Sequence, residues 1–236
     1  MLTQPTIDSE ISIPSLIDID ERYADRGAAG RQLAQLLRPD RDSRALVFAL
    51  PPGGVVVGGE VARALRLPLD VLVAREIAIR PYPALVAGAL CEGSGLCLNR
   101  AVFRLPGATL KAFWHEAHRT AREIAALVVL YRHGRSLPLL QRRSVILVDD
   151  GLGDGLMQLA AIRALRRMHA ARCVVVTPFA TPDAFQRVAR RADLVLTLSS
   201  SAASQQDGHG HWGYPLDDDV AAALAEAYRQ QRGDGS

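Results

Sequence analysis

The sequence predicts an α/β fold, doubly wound around a mainly parallel sheet, with a hairpin set into it. Three observations carry that prediction. Short apolar runs at Ala45–Leu50, Leu69–Ala74, Ser144–Val148, Arg172–Val176 and Leu194–Leu198 alternate with stretches of helical periodicity. Two of those runs open into glycine-rich turns, Pro51-Pro-Gly-Gly54 and Gly151-Leu-Gly-Asp-Gly155. In chains that alternate strand and helix, such turns fall at the carboxyl edge of the sheet, where ligands bind.

Composition narrows the class. Apolar residues make up 49% of the 236, enough for a full core, so disorder is not expected. The length suits one α/β domain over residues 21–198, with an arm at 1–20 and a loop and helix at 199–236. Net charge is +3, and Lys111 is the sole lysine among the basic residues. Arginine suits carboxylate and phosphate partners. No basic stripe with interleaved aromatics is present, which disfavours nucleic acid. Cys91, Cys97 and Cys173 are odd in number and lack metal-site spacing, as in a reducing interior. No signal peptide or uncharged membrane-length stretch is visible, so the expectation is a cytoplasmic protein without membrane partners.

Residues 1–20 mix apolar and acidic positions and are compatible with an arm or an edge strand. Glu21–Leu37 has the spacing of a surface helix. Ala45–Leu50 is continuously apolar, hence a buried strand, and a helix follows it from Val55 to Leu65. Leu69–Ala74 is the next strand, ending at Arg75-Glu76. Ala84–Leu98 reads as a hairpin around Glu92-Gly-Ser-Gly95, with Glu92 its one ionisable candidate. Thr109–Arg132 is a long helix, closed by Gly134. Its His115 and His118 share one side but lack a third ligand, so they read as a solvated pair.

The central stretch runs from Ser144 through Asp149-Asp150 and the three alternate glycines Gly151, Gly153 and Gly155 into a helix. Paired acids, a glycine loop and a helix N-terminus make a site for an anion or a sugar phosphate. Later, Thr181-Pro182 reads as an N-cap with proline in the first turn. Ser199–Gly210 is polar and predicted mobile. It leads past His209 to His211-Trp-Gly-Tyr214, aromatics that could stack on a planar ring or pack the chain end. Leu216–Gln230 is a terminal helix.

Val145-Ile-Leu-Val-Asp-Asp-Gly-Leu-Gly-Asp-Gly-Leu-Met157 resembles the nucleotide-binding motif of type I phosphoribosyltransferases. Pro51-Pro-Gly-Gly54 resembles the pyrophosphate loop of a bacterial phosphoribosyltransferase-like subgroup, where Leu-Pro-Arg-Gly-Gly is usual. The resemblance spans about residues 21–230. It implies transfer of a ribosyl 5-phosphate group from phosphoribosyl pyrophosphate to a nitrogen nucleophile. Asp149 and Asp150 would face the ribose hydroxyls, touching metal only indirectly, and Arg75 would join them as a catalytic group. Pro51, Pro52, Gly53, Gly54, Glu76 and Glu92 would line the pyrophosphate side. Gly151, Leu152, Gly153, Asp154, Gly155, Leu156 and Met157 would form the 5-phosphate cradle. Residues 84–98 would be a mobile flap. Magnesium (Mg2+) would arrive with the substrate. The implied partners are a small-molecule sugar phosphate or nucleotide, with a homo-oligomer left open.

Four positions depart from the family pattern. Pro52 replaces an arginine, Glu76 a lysine, and Asp154 and Met157 two threonines. Each change removes a phosphate contact or adds negative charge. A carboxylate about 5 Å from a phosphate, at an effective dielectric of about 20, opposes each unit of its charge by about 3 kcal/mol. Asp154 could equally cap the following helix. Two further readings therefore stand beside the transferase. One is an enzyme of the same fold acting on an unphosphorylated riboside or sugar nucleotide. The other is a non-catalytic relative that binds nucleotide or a partner.

Overall fold

The computed structural model describes residues 25–37 and 44–199, and residues 215–217, 220, 221, 223–225, 227 and 228 of the C-terminal stretch. The arm at 1–20, Glu21, and the His209, Trp212 and Tyr214 element lie outside the described residues.

In chain order the elements are α1 (Arg26–Leu37), β1 (Leu46–Ala49), α2 (Gly53–Leu65), β2 (Leu69–Val71), β3 (Ala74–Ile79), β4 (Tyr82–Cys91), β5 (Gly95–Leu98), α3 (Leu110–Arg132), β6 (Ser144–Val148), α4 (Leu156–Arg167), β7 (Arg172–Phe179), α5 (Pro182–Ala189) and β8 (Leu194–Ser199). Helical residues follow Leu216. Five strands form a parallel sheet in the order β2-β1-β6-β7-β8. Val47 pairs with Leu69 on one side and Ile146 on the other, and Val148 faces Val176. From β1 the chain winds outward to β2. From β6 it winds the opposite way, to β7 and β8. The switch point lies between β1 and β6, the position at the carboxyl edge where folds of this kind bind ligands.

Each face of this sheet has its own apolar layer. Leu33 and Leu37 of α1, Val57 and Val61 of α2, Ile124 and Tyr131 of α3, and Leu224 near the C-terminus cover one face. Leu156, Ala160 and Leu165 of α4 and Phe185 of α5 cover the other, with Ala89 and Cys97 of the smaller sheet. The central strands are consequently buried on both sides, which is why they read as unbroken apolar runs. Helix ends follow local chemistry. Thr109 Oγ1 accepts the Ala112 N–H at 3.2 Å, and Thr181 Oγ1 accepts the Ala184 N–H at 3.2 Å ahead of Pro182. Each such cap contributes about 1 kcal/mol.

Three expectations are corrected. The run Leu69–Ala74 is not one strand. β2 ends at Val71, and Ala74 starts β3 of a separate antiparallel sheet, β3-β4-β5. Arg75 and Glu76 therefore lie within a strand rather than at a strand end. Continuous burial from Leu69 to Ala74 masked the break in the pattern. Second, Gly53 and Gly54 are the first turn of α2, not a loop before it. Third, the surface helix α1 opens with a charged residue, Arg26, that is buried rather than solvated.

Candidate functional site at the switch point

The two glycine turns meet. A Cβ on Gly53 would lie 1.8 Å from Asp150 Oδ2, and one on Gly54 would lie 2.9 Å from the Val148 carbonyl oxygen. Glycine at both positions lets the start of α2 rest directly on the end of β6. The acid pair thus faces the Pro51–Gly54 turn across the switch point.

Both acids are held from below. Asp149 is buried, with its N–H bonded to the Val176 carbonyl at 3.1 Å. Its Oδ1 accepts the Asp150 N–H at 2.8 Å, and its Oδ2 accepts Gln158 Nε2 at 2.5 Å. Burial first, then the charge of Asp150, pushes the Asp149 carboxyl well above the usual carboxylate range. Asp150 Oδ2 accepts Arg26 Nε at 2.9 Å and pairs with Arg26 Nη2 at 2.9 Å. Gln158 Nε2 also reaches the Gly151 carbonyl at 3.3 Å, and Gln158 Oε1 is buried without a hydrogen-bond partner.

Arg75 stands on the other side of the turn. Its Nη1 donates to the carbonyls of Pro51 at 3.2 Å and Ala74 at 3.0 Å. Glu76 is exposed, but nearby protein strips part of its solvation and Asp154 adds negative charge, and both raise its carboxyl above the usual range.

The loop after the acid pair satisfies itself. The Leu152 N–H donates to Phe179 O at 3.0 Å, and the Gly155 N–H to Leu152 O at 2.7 Å. Asp154 Oδ1 accepts the Leu156 N–H at 2.9 Å, and the Asp154 carboxylate also accepts its own amide. Its carboxyl is nonetheless raised, because burial outweighs those bonds and the Arg187 charge. Arg187 Nη1 also donates to the Asp154 carbonyl at 2.6 Å. Gly155, at φ +81°, turns the chain into α4. Leu152 and Leu156 are core side chains and Met157 packs against the same layer, so these three can offer a ligand only their backbone.

Glu92 has other work. Its Oε1 accepts the Val73 N–H at 2.7 Å and Arg132 Nη2 at 2.7 Å, while Oε2 accepts Arg132 Nη1 at 2.7 Å. Arg132 further binds Asp70 Oδ1 at 3.2 Å. A buried guanidinium needs that carboxylate, so Glu92 has a structural partner beside the ligand role expected of it. The hairpin tip also rests on α4. Arg167 Nη1 donates to Ser94 O at 2.7 Å, Arg163 donates to Leu96 O, and a Cβ on Gly95 would meet Ala160 O at 2.1 Å.

His115 and His118 are exposed, and among the described residues no group of three His, Cys, Asp or Glu side chains could hold a metal. The carboxylate oxygens of Asp149 and Asp150 are hard donors of the type magnesium prefers, but Arg26, Gln158 and the Asp150 amide already engage them. They fit an ion brought by phosphates better than a resident one. No described helix is long and apolar enough to cross a membrane. Sequence reading missed Arg26 and Gln158. Arg26 is 124 positions from Asp150, and no spacing rule links them.

No protein-family model matches the chain. It is 36% identical over 211 residues to two Mycobacterium tuberculosis proteins, one from each of two strains, each named a "putative phosphoribosyl transferase". That similarity covers 88% of this chain and 47% of theirs, so the chain spans about half the length of the curated relatives it matches. The crystal structure of TT1426 from Thermus thermophilus aligns with a TM-score of 0.70 at 34% identity, over 87% of this chain and 99% of that one.

Proposed function

We propose that this chain, which is 36% identical over 88% of its length to proteins named "putative phosphoribosyl transferase", transfers a ribosyl group to a nitrogen nucleophile, with pyrophosphate leaving the anomeric carbon. The observation that carries this reading is the contact between Gly53 and Asp150. It sets a turn able to hold pyrophosphate beside an acid pair able to accept sugar hydroxyls. The bond from the anomeric carbon to the pyrophosphate oxygen breaks, a carbon–nitrogen bond forms, and the nucleophile loses its proton. Positive charge on the sugar in the transition state is stabilised by the Asp150 carboxylate. Arg75 balances charge on the departing pyrophosphate. A magnesium ion brought with the donor would supply further positive charge at its phosphates. Pyrophosphate release from phosphoribosyl pyrophosphate should occur with a nitrogen nucleophile and vanish in Asp149→Asn/Asp150→Asn. A double variant that binds every wild-type ligand equally well would make the acids structural.

A second reading, a donor without a 5-phosphate, is favoured by one observation. Asp154 occupies the amides that would meet the phosphate, and Glu76 adds a further negative charge nearby. Such a loop suits a neutral sugar hydroxyl. Calorimetric titration at one magnesium and salt concentration separates the two. The expected result is weak wild-type binding of phosphoribosyl pyrophosphate, improved at least about tenfold, or 1.4 kcal/mol, by Asp154→Thr/Met157→Thr. Tight wild-type binding with no gain would restore the phosphorylated donor.

A further inference from the structure

Arg26 has no role in the reading above, yet the fold gives it a costly place. Its side chain is 9% exposed and that of its partner Asp150 14%, so both charges are largely out of water. A buried ion pair adds little stability over apolar side chains of similar volume, so its presence invites a use. Its location narrows that use. The oxygen that Arg26 holds, Asp150 Oδ2, is the one lying against Gly53 at the first turn of α2. That helix has Pro52 at its N-cap, with no side-chain hydrogen bond there. Pro52 brings neither positive charge nor an N–H. Arg75 reaches the same turn from the other side, through Pro51 O. A second feature points to a ligand at the acid pair. Gln158 is 1% exposed and holds Asp149 through Nε2, yet its Oε1, an acceptor, has no donor.

We propose that Arg26 is a binding residue for the pyrophosphate group, supplying the positive charge that the Pro51–Gly54 turn lacks. Without ligand, Asp150 keeps the guanidinium compensated beside Gly53. When pyrophosphate binds, alone or as part of a donor, Arg26 turns to the phosphate oxygens, and in a donor the sugar hydroxyls take Asp150. The exchange conserves charge pairing in a site where a bare guanidinium or a bare carboxylate would be penalised. This inference rests on the reading of the site as one that handles pyrophosphate.

The test is calorimetric titration of magnesium pyrophosphate into the wild type, Arg26→Gln, Arg26→Lys, Asp150→Asn and Arg26→Gln/Asp150→Asn, with thermal melts to establish folding. Arg26→Gln should weaken pyrophosphate binding at least about tenfold, and Arg26→Lys should recover part of it. The penalty of Arg26→Gln should persist in the Asp150→Asn background, because the lost contact is to the ligand. A penalty that disappears in that background would mean that Arg26 acts only through Asp150, and would overturn the proposal. Unchanged affinity in Arg26→Gln would overturn it too, while leaving the pyrophosphate site standing. If the wild type does not bind pyrophosphate, the reading of the site falls and Arg26's role with it. Should Arg26→Gln fail to fold, Arg26→Lys decides: a folded Lys variant should bind pyrophosphate more weakly than the wild type, and wild-type affinity in it refutes a guanidinium contact.

Discussion

Asp150 Oδ2 rests against the α-carbon of Gly53, so closely that a side chain on Gly53 would overlap it. That contact brings together two turns almost a hundred residues apart in the sequence. Neither residue can be enlarged or moved without disturbing the other.

Gly53→Ala is therefore expected to destabilise the protein by about 1–3 kcal/mol, the usual cost of overpacking. Arg26 holds the same carboxylate oxygen, Asp150 Oδ2, which limits its retreat. Urea unfolding measures the loss, and pairing the change with Asp150→Ala should return part of it. Equal stability of Gly53→Ala and the wild type would show that the carboxylate moves aside freely.

The buried acid predicts a slope of stability against pH. The Asp149 carboxyl is raised in the folded state, by burial first and by Asp150 second. Above the ordinary aspartate value the unfolded chain gives up this proton more readily than the folded one. Stability from this group is thus complete below that value and is lost as pH rises towards the folded value. Asp149→Asn should remove the slope, and Gln158 can turn its unpartnered Oε1 to the new amide. Denaturant midpoints from pH 4 upward, compared between the two proteins, decide it, and parallel profiles would contradict the assignment.

Arg132 anchors the smaller sheet to the larger. It is 1% exposed and binds Glu92, Asp70 and the Val71 carbonyl, with Tyr228 donating to Asp70 at 3.0 Å. Arg132→Met would leave two buried carboxylates without their cation, a loss of about 3–5 kcal/mol. Urea unfolding should show it. A loss under about 1 kcal/mol would mean that the acids find water or another partner.

The hairpin tip should exchange slowly. Arg163 and Arg167 hold the carbonyls of Leu96 and Ser94, and Gly95 sits tight on α4. Hydrogen exchange should therefore find residues 93–98 better protected than the Arg80–Pro81 turn between β3 and β4. Fast exchange at 93–98 in the unliganded protein would restore a flap that moves at this end.

Much of the site was legible because its chemistry is local. Asp149 and Asp150 stand at the end of an apolar run and before alternate glycines, a pattern that spacing reveals. Asp154 was legible as a group that meets the start of the helix: its carboxylate accepts the Leu156 N–H, one residue past the N-cap Gly155. The pairing of Glu92 with Arg132 was not legible, because the two are 40 positions apart. Nothing in the chain between them signals a pairing.

By itself the sequence determined the alternation of strand and helix, the two glycine turns, the acid pair, and the cap at Thr181. These depend on periodicity, backbone freedom and hydrogen bonds within a few residues. Only the tertiary structure decided that β1 and β6 are neighbours, that Gly53 touches Asp150, and that Arg26 and Gln158 support the two acids. It also decided that Arg75 lies within a strand of a second sheet. Those outcomes depend on which distant surfaces are buried together. Burial energy is set by the whole packed layer, and it leaves no mark on the spacing of any one segment.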